Sequence, residues 1–224
     1  MSRSLGIVYG QEGKNEETLV QFQKAPEIQL QVLGSEHPNV ATSYTNIGNV
    51  YSQQGKYQFS TRTASIRVLG SEHPDVADLY NNTGGEYDSQ GKYEQALVQH
   101  QKSLEIRLRV FGSQHSDVAR SYSSIANVYN AQGEYEDALL EHQKSLDMRL
   151  RVLDSEHPHV AASYSNIGSV YQAQGKYDEA LLQHQKSLEI KLRVFGSEHL
   201  DVADSYHNIG NVYTEQGKYT EALI

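Results

Sequence analysis

The string Gly-Ser-Glu-His-Pro beginning at Gly34 returns, with small changes, at Gly70, Gly112, Asp154 and Gly196, at spacings of 36, 42, 42 and 42 residues. No other feature constrains the fold as strongly, because a unit copied at a fixed period must pack against its own copies. Between these marks each unit reads roughly HPDVAxSYxNIGNVYxxQGKYxxALxxHQKSLEIRLRVLG. The marks divide the 224 residues into a partial repeat 1–33, a repeat 34–69 shortened by six residues, full repeats 70–111, 112–153 and 154–195, and a partial repeat 196–224, read together as a single array.

The apolar spacing inside the unit predicts two helices. In the first, helix A, Val40, Tyr44, Ile47, Gly48 and Tyr51 share one stripe roughly 80° wide at about 100° per residue. Pro38, Pro74 and Pro158 suit its first position, and Asp75 and Asp117 favour the positive end of its dipole. Gly55, Gly91, Gly133, Gly175 and Gly217 stand where a left-handed residue ends such a helix. Helix B carries Tyr135, Ala138, Leu139, His142, Leu146, Leu150 and Leu153 at three- and four-residue steps, with Arg149 and Arg151 at its negative end. One such hairpin cannot bury both stripes alone, so consecutive hairpins must stack. All 16 tyrosines fall into three columns of the unit and are read as inter-helix packing positions.

Composition removes several chemistries. Without cysteine there is no disulfide framework, thiolate metal site or thiol nucleophile. A formal charge of 19 minus 28, or -9, argues against nucleic acid and anionic membrane as partners. No apolar run approaches membrane-spanning length and the amino terminus has no export leader, so a cytoplasmic protein is expected. Eight of the ten histidines repeat with the unit, on successive hairpins too far apart to share a metal. Those before the prolines are read as fixing an extended entry into helix A. Gly48 to Lys56 has the wrong glycine spacing for a phosphate loop, and Ser121, Ser163 and Ser205 have no base beside them. No enzyme activity and no cofactor are expected.

Two units break the pattern. The six-residue loss rotates a helix by roughly 240°, which predicts a short or frayed helix at 58–69, and Pro26 should kink the helix before it. The chain also opens and closes partway through helices, so it reads as a piece of a longer array whose uncapped ends could self-associate.

Tyr44, Ile47-Gly48, Tyr51 and Tyr57, with Ala138 and Ala180 in later copies, resemble the tetratricopeptide repeat (TPR) signature. The 42-residue unit, with HPDVA opening helix A and KSLEIRLRVLG closing helix B, is similar to the TPR array of kinesin light chains. That resemblance implies an all-α, right-handed superhelical solenoid of antiparallel αα-hairpins. It also implies a concave groove, lined by the A helices, that receives an extended peptide from a cargo or adaptor, and with it a cytoskeletal association.

Opposite the buried stripe, helix A holds Asn46 and Asn49 in the first full unit. The same columns give Asn82, Asn166 and Asn208, then Asn127 and Asn211, and a neighbouring column gives Arg120. An amide both donates and accepts, so this row can pair with the backbone of an extended peptide whatever its side chains. These eight residues are the candidate peptide-binding set. Only Arg120 and His207 could bring positive charge to the face, so it is not built for an acidic ligand. Two other readings stand beside this one: a structural spacer or self-assembling array, and an accessory region of a larger multidomain protein.

Overall fold

The computed structural model describes residues 70–220 together with Ile28, Val32 and Ala222. The expected irregular helix at 58–69, the kink at Pro26, and Asn46 and Asn49 lie outside the described residues. Seven α-helices and no strand are found among them: α1 Pro74–Ser89, α2 Tyr93–Phe111, α3 Ser116–Gln132, α4 Tyr135–Val152, α5 Pro158–Ala173, α6 Tyr177–Phe195 and α7 Leu200–Glu215. The odd helices are the A type and the even ones the B type. Contacts divide the chain into two compact units, Met1–Thr83 and Gly84–Ile224, and the packing below belongs to the second.

Proline opens α1 and α5, as its fixed φ and missing N–H favour. The histidine before each A helix does more than extend the chain. Its Nδ1 accepts the backbone N–H two residues on: His73 from Asp75 and His115 from Asp117 at 3.2 Å, His157 from His159 and His199 from Asp201 at 3.1 Å. The imidazole thereby fills the N-cap role usually taken by Ser or Asp, satisfying a donor that the helix leaves open. Phe111 and Phe195, from the preceding B helices, stack on His115 and His199 at centroid distances of 4.2 and 4.3 Å and fix the rings. At the A-to-B joint Gly133 adopts φ 80°, where any other residue would be strained, and α4 starts two residues later.

Within Gly84–Ile224 each helix packs on its sequence neighbours, and α3 also touches α5. The innermost positions are small. Val118, Ala119, Val160, Ala161, Val128, Val170 and Val212 are buried, as are Ala138 and Ala180 of the B helices. The tyrosines, expected at the centre of the packing, are instead half-buried around these clusters, and Tyr206 and Tyr219 are 54% and 66% exposed. Short side chains let the helices approach closely, while the rings lie along the edges where their hydroxyls reach water. Tyr164 and Tyr171 flank the cluster of Leu146, Val160, Ala161, Ile167 and Ile190 in this way.

Two polar devices recur with the period. His100, His142 and His184 are 4%, 1% and 1% exposed on the B helices. A Cβ placed on Gly84 would meet the ring of His100 at 2.6 Å, and one on Gly168 would meet that of His184 at 2.8 Å, so glycine makes room for the imidazole in these two copies, while the copy between them has Ala126. Burial holds all three pKa values down to about 4, helped by the nearby cations Arg107, Arg149 and Lys191.

Those cations form the second device. Arg107 Nη1 donates to Ser121 Oγ at 2.6 Å and to the Asp117 carbonyl at 3.3 Å. Arg149 Nη1 does the same to Ser163 Oγ at 2.7 Å and the His159 carbonyl at 2.9 Å. Lys191 Nζ reaches Ser205 Oγ at 3.0 Å and the Asp201 carbonyl at 3.1 Å. Each B helix is thus clasped to the A helix of the next hairpin. Arg149, read from sequence as a dipole cation, is half-buried and spent on this bridge, and Ser121, Ser163 and Ser205 are buried acceptors within it.

Candidate peptide-binding face

Three consecutive A helices present the candidate residues in the second unit. Contact of α3 with α5 aligns the first pair. Asn208 Nδ2 to Ser165 Oγ at 3.5 Å and Gln172 Nε2 to Glu215 Oε1 at 2.8 Å tie α5 to α7. Because the buried stripe turns inward against the B helices, the amide columns turn outward on a shared side.

Asn127 and Asn211 are exposed, Asn166 is half-buried, and none of the three makes a side-chain hydrogen bond among the described residues. Asn208 is half-buried and part of its amide goes to Ser165 on the neighbouring helix. Arg120 is exposed but held by Asp117 Oδ1 at 3.1 Å, which offsets its charge, and the same column on α7 presents the exposed carboxylate of Asp204. Asn82 is exposed on α1, within the first unit. Ser124 and Ser169, which occupy these columns in other copies, donate to their own helix at Arg120 O and Ser165 O and offer a ligand less.

Column matching passed over one further amide on α3, whose oxygen is enclosed rather than open to a ligand. Asn130 lies one turn beyond Asn127 on α3, half-buried, with its Oδ1 enclosed and unbonded. Its i,i+3 relation to Asn127 was the available signal. What the face can do chemically is pair amides with a backbone; among the described residues no group of three His, Asp or Glu side chains is placed to hold a metal ion. No helix among them is long and apolar enough to cross a membrane.

The tetratricopeptide repeat family model matches residues 1–62, 89–151, 117–193 and 159–224. The chain belongs to the tetratricopeptide repeat family. This TPR protein is similar in structure to BtubC (BKLC) from P. vanneervenii, with a TM-score of 0.75 over 93% of this chain and 86% of that one at 17% sequence identity. It is also similar to the apo form of RapI, with a TM-score of 0.61 over 99% and 72% at 16% identity. A third likeness is to a Podosopora anserina structure of kinesin light chain type with nearly identical TPR-like repeats, with a TM-score of 0.51 over 99% and 88% at 21% identity. At these identities the likeness is one of fold. No curated protein matches the TPR chain significantly. TPR folds in general are scaffolds for protein-protein contact rather than catalytic frameworks.

Proposed function

We propose that this TPR chain is a non-catalytic interaction module, a single array of 42-residue repeats of the kinesin light chain type, that binds an extended segment of a partner protein along its A helices. The observation that carries this reading is the row of unspent amides on three aligned helices, exposed at Asn127 and Asn211 and half-buried at Asn166. Amide pairing with a peptide backbone gives affinity without demanding a particular side chain, and micromolar binding, about -8 kcal/mol, suits such a groove. On this reading the protein works in the cytoplasm, on cargo or adaptor segments. A peptide selected from a random library should lose about tenfold in affinity with the double substitution Asn127→Ala and Asn211→Ala, roughly 1.4 kcal/mol. Unchanged affinity would remove the face from consideration.

A spacer role is favoured by a different observation: Asn208 and Gln172 bond across repeats, as a face kept for stacking would. Concentration-dependent polymers in sedimentation, with no peptide recovered from the library, would support that role instead.

A further inference from the structure

The loop before each A helix carries a glutamate in four copies, Glu36, Glu72, Glu156 and Glu198, and a glutamine in the fifth, Gln114. At Glu156 the use of the acid is visible. Arg193 of α6 pairs with Glu156 at 2.7 Å and with Glu189 of its own helix at 3.5 Å, closing the junction between hairpins. One repeat earlier the equivalent three positions are Arg151, Gln114 and Asp147. A neutral amide cannot form that ion pair, and the shorter Asp147 instead accepts Gln143 Nε2 at 2.8 Å. Arg151 is exposed and makes no hydrogen bond or ion pair among the described residues.

Beside it lies a cleft of about 260 Å³. Leu108, Tyr122 and Met148 form its apolar part, and Ser113, Gln114, Asp147 and Arg151 its polar part. Lys144 borders it as well, but that ammonium is already held by Glu141 and lies 5.6 Å above the Tyr122 ring.

We propose that this cleft takes an acidic side chain of a partner protein, the carboxylate seated on Arg151 and its aliphatic stem against Leu108, Tyr122 and Met148. A guanidinium receives a carboxylate through two parallel hydrogen bonds, and such a ligand would supply the carboxylate that Gln114 lacks. A phosphate fits less well: it brings about two negative charges to a cleft with one unpaired cation and Asp147 on its wall. The site is built from the end of α2, the following loop and α4, together with Tyr122, so it does not rest on the amide face of the A helices.

The test uses the whole chain and three probes at low ionic strength: N-acetylglutamate N-methylamide, its glutamine analogue and inorganic phosphate. The glutamate probe should give saturable chemical-shift changes at the Ser113 amide and the Arg151 Nε–H, with a Kd on the order of 10 mM. Binding should weaken about fivefold or more in Arg151→Met and in Gln114→Glu, where the new acid closes the lock as Glu156 does, and the glutamine analogue should leave the signals unmoved. Gln114→Glu is a surface change that copies the neighbouring repeat, so a lost fold does not confuse the result. The proposal is overturned by the absence of a saturable shift, by equal shifts in wild type and Gln114→Glu, or by phosphate binding while the glutamate probe does not.

Discussion

Replacing Arg107 tests how the hairpins are joined. Its side chain is 1% exposed, and its guanidinium bridges α2 to α3 through Ser121 Oγ at 2.6 Å and the Asp117 carbonyl at 3.3 Å. Hydrogen bonds to a charged group contribute about 1.5–3 kcal/mol each, the longer one at the low end. Two effects reduce the loss in Arg107→Met. Ser121 Oγ still donates to Asp117 O at 3.3 Å, so neither atom is stranded, and a cation no longer has to be buried. The expected net destabilisation is about 2 kcal/mol. The third copy supplies the control: Lys191 makes the same two contacts with an ammonium, so Arg107→Lys should cost less than about 1 kcal/mol. A cycle of Arg107→Met with Ser121→Ala should show a coupling of about 1–1.5 kcal/mol. Urea denaturation followed by circular dichroism reads the total, and hydrogen exchange in α2 and α3 reads it locally, which matters in an array whose repeats can open separately. Additive single costs, or Met and Lys variants of equal stability, would refute the clasp.

Three further outcomes follow from the same geometry. With the pKa values of His100, His142 and His184 near 4, the unfolded chain takes up protons below about pH 6.5 while the folded chain does not, so stability is whole above that value and falls toward pH 4. Between pH 7 and 5 each histidine should withdraw up to about 2 kcal/mol, less where water reaches the ring; urea midpoints that do not move over this range would contradict it. In one column of the B helices, Ser145 Oγ bonds Ser123 Oγ and the Ala119 carbonyl at 2.8 Å, whereas Ser187 Oγ is buried without a partner. Thermal melts should therefore give opposite signs, Ser145→Ala losing about 1–2 kcal/mol and Ser187→Ala gaining about 0.5–1 kcal/mol. His115→Ala should cost about 1 kcal/mol and His115→Ser much less, since a hydroxyl can replace the imidazole cap; equal losses measured by urea titration would disprove the capping role.

The hairpins were legible because their signals are local. Pro74 and Pro158 open helices where predicted, and Gly133 closes α3 by the left-handed turn its position suggested. The clasp was not legible, since Ser121 follows Arg107 by 14 residues across a loop, and only stacking brings them together. Periodicity also placed the tyrosines on the packing side without separating centre from rim; that distinction depends on how near two helices come, which Val118, Ala119 and their equivalents decide. For the amide face, column matching found Asn127, Asn166 and Asn211 but could not show that Asn208 is partly spent on Ser165 or that Asp117 holds Arg120. Those facts depend on the neighbouring helix or on the rotamer, and neither is written in the spacing.

The most direct test of the central claim is to map where a library-selected peptide lies on the whole protein, by chemical shift and hydrogen exchange with the peptide bound and absent. The account predicts changes at the side-chain amides of Asn127, Asn166 and Asn211 and slowed exchange in α3, α5 and α7. Changes confined to α4 and α6, with those amides unmoved, would contradict it.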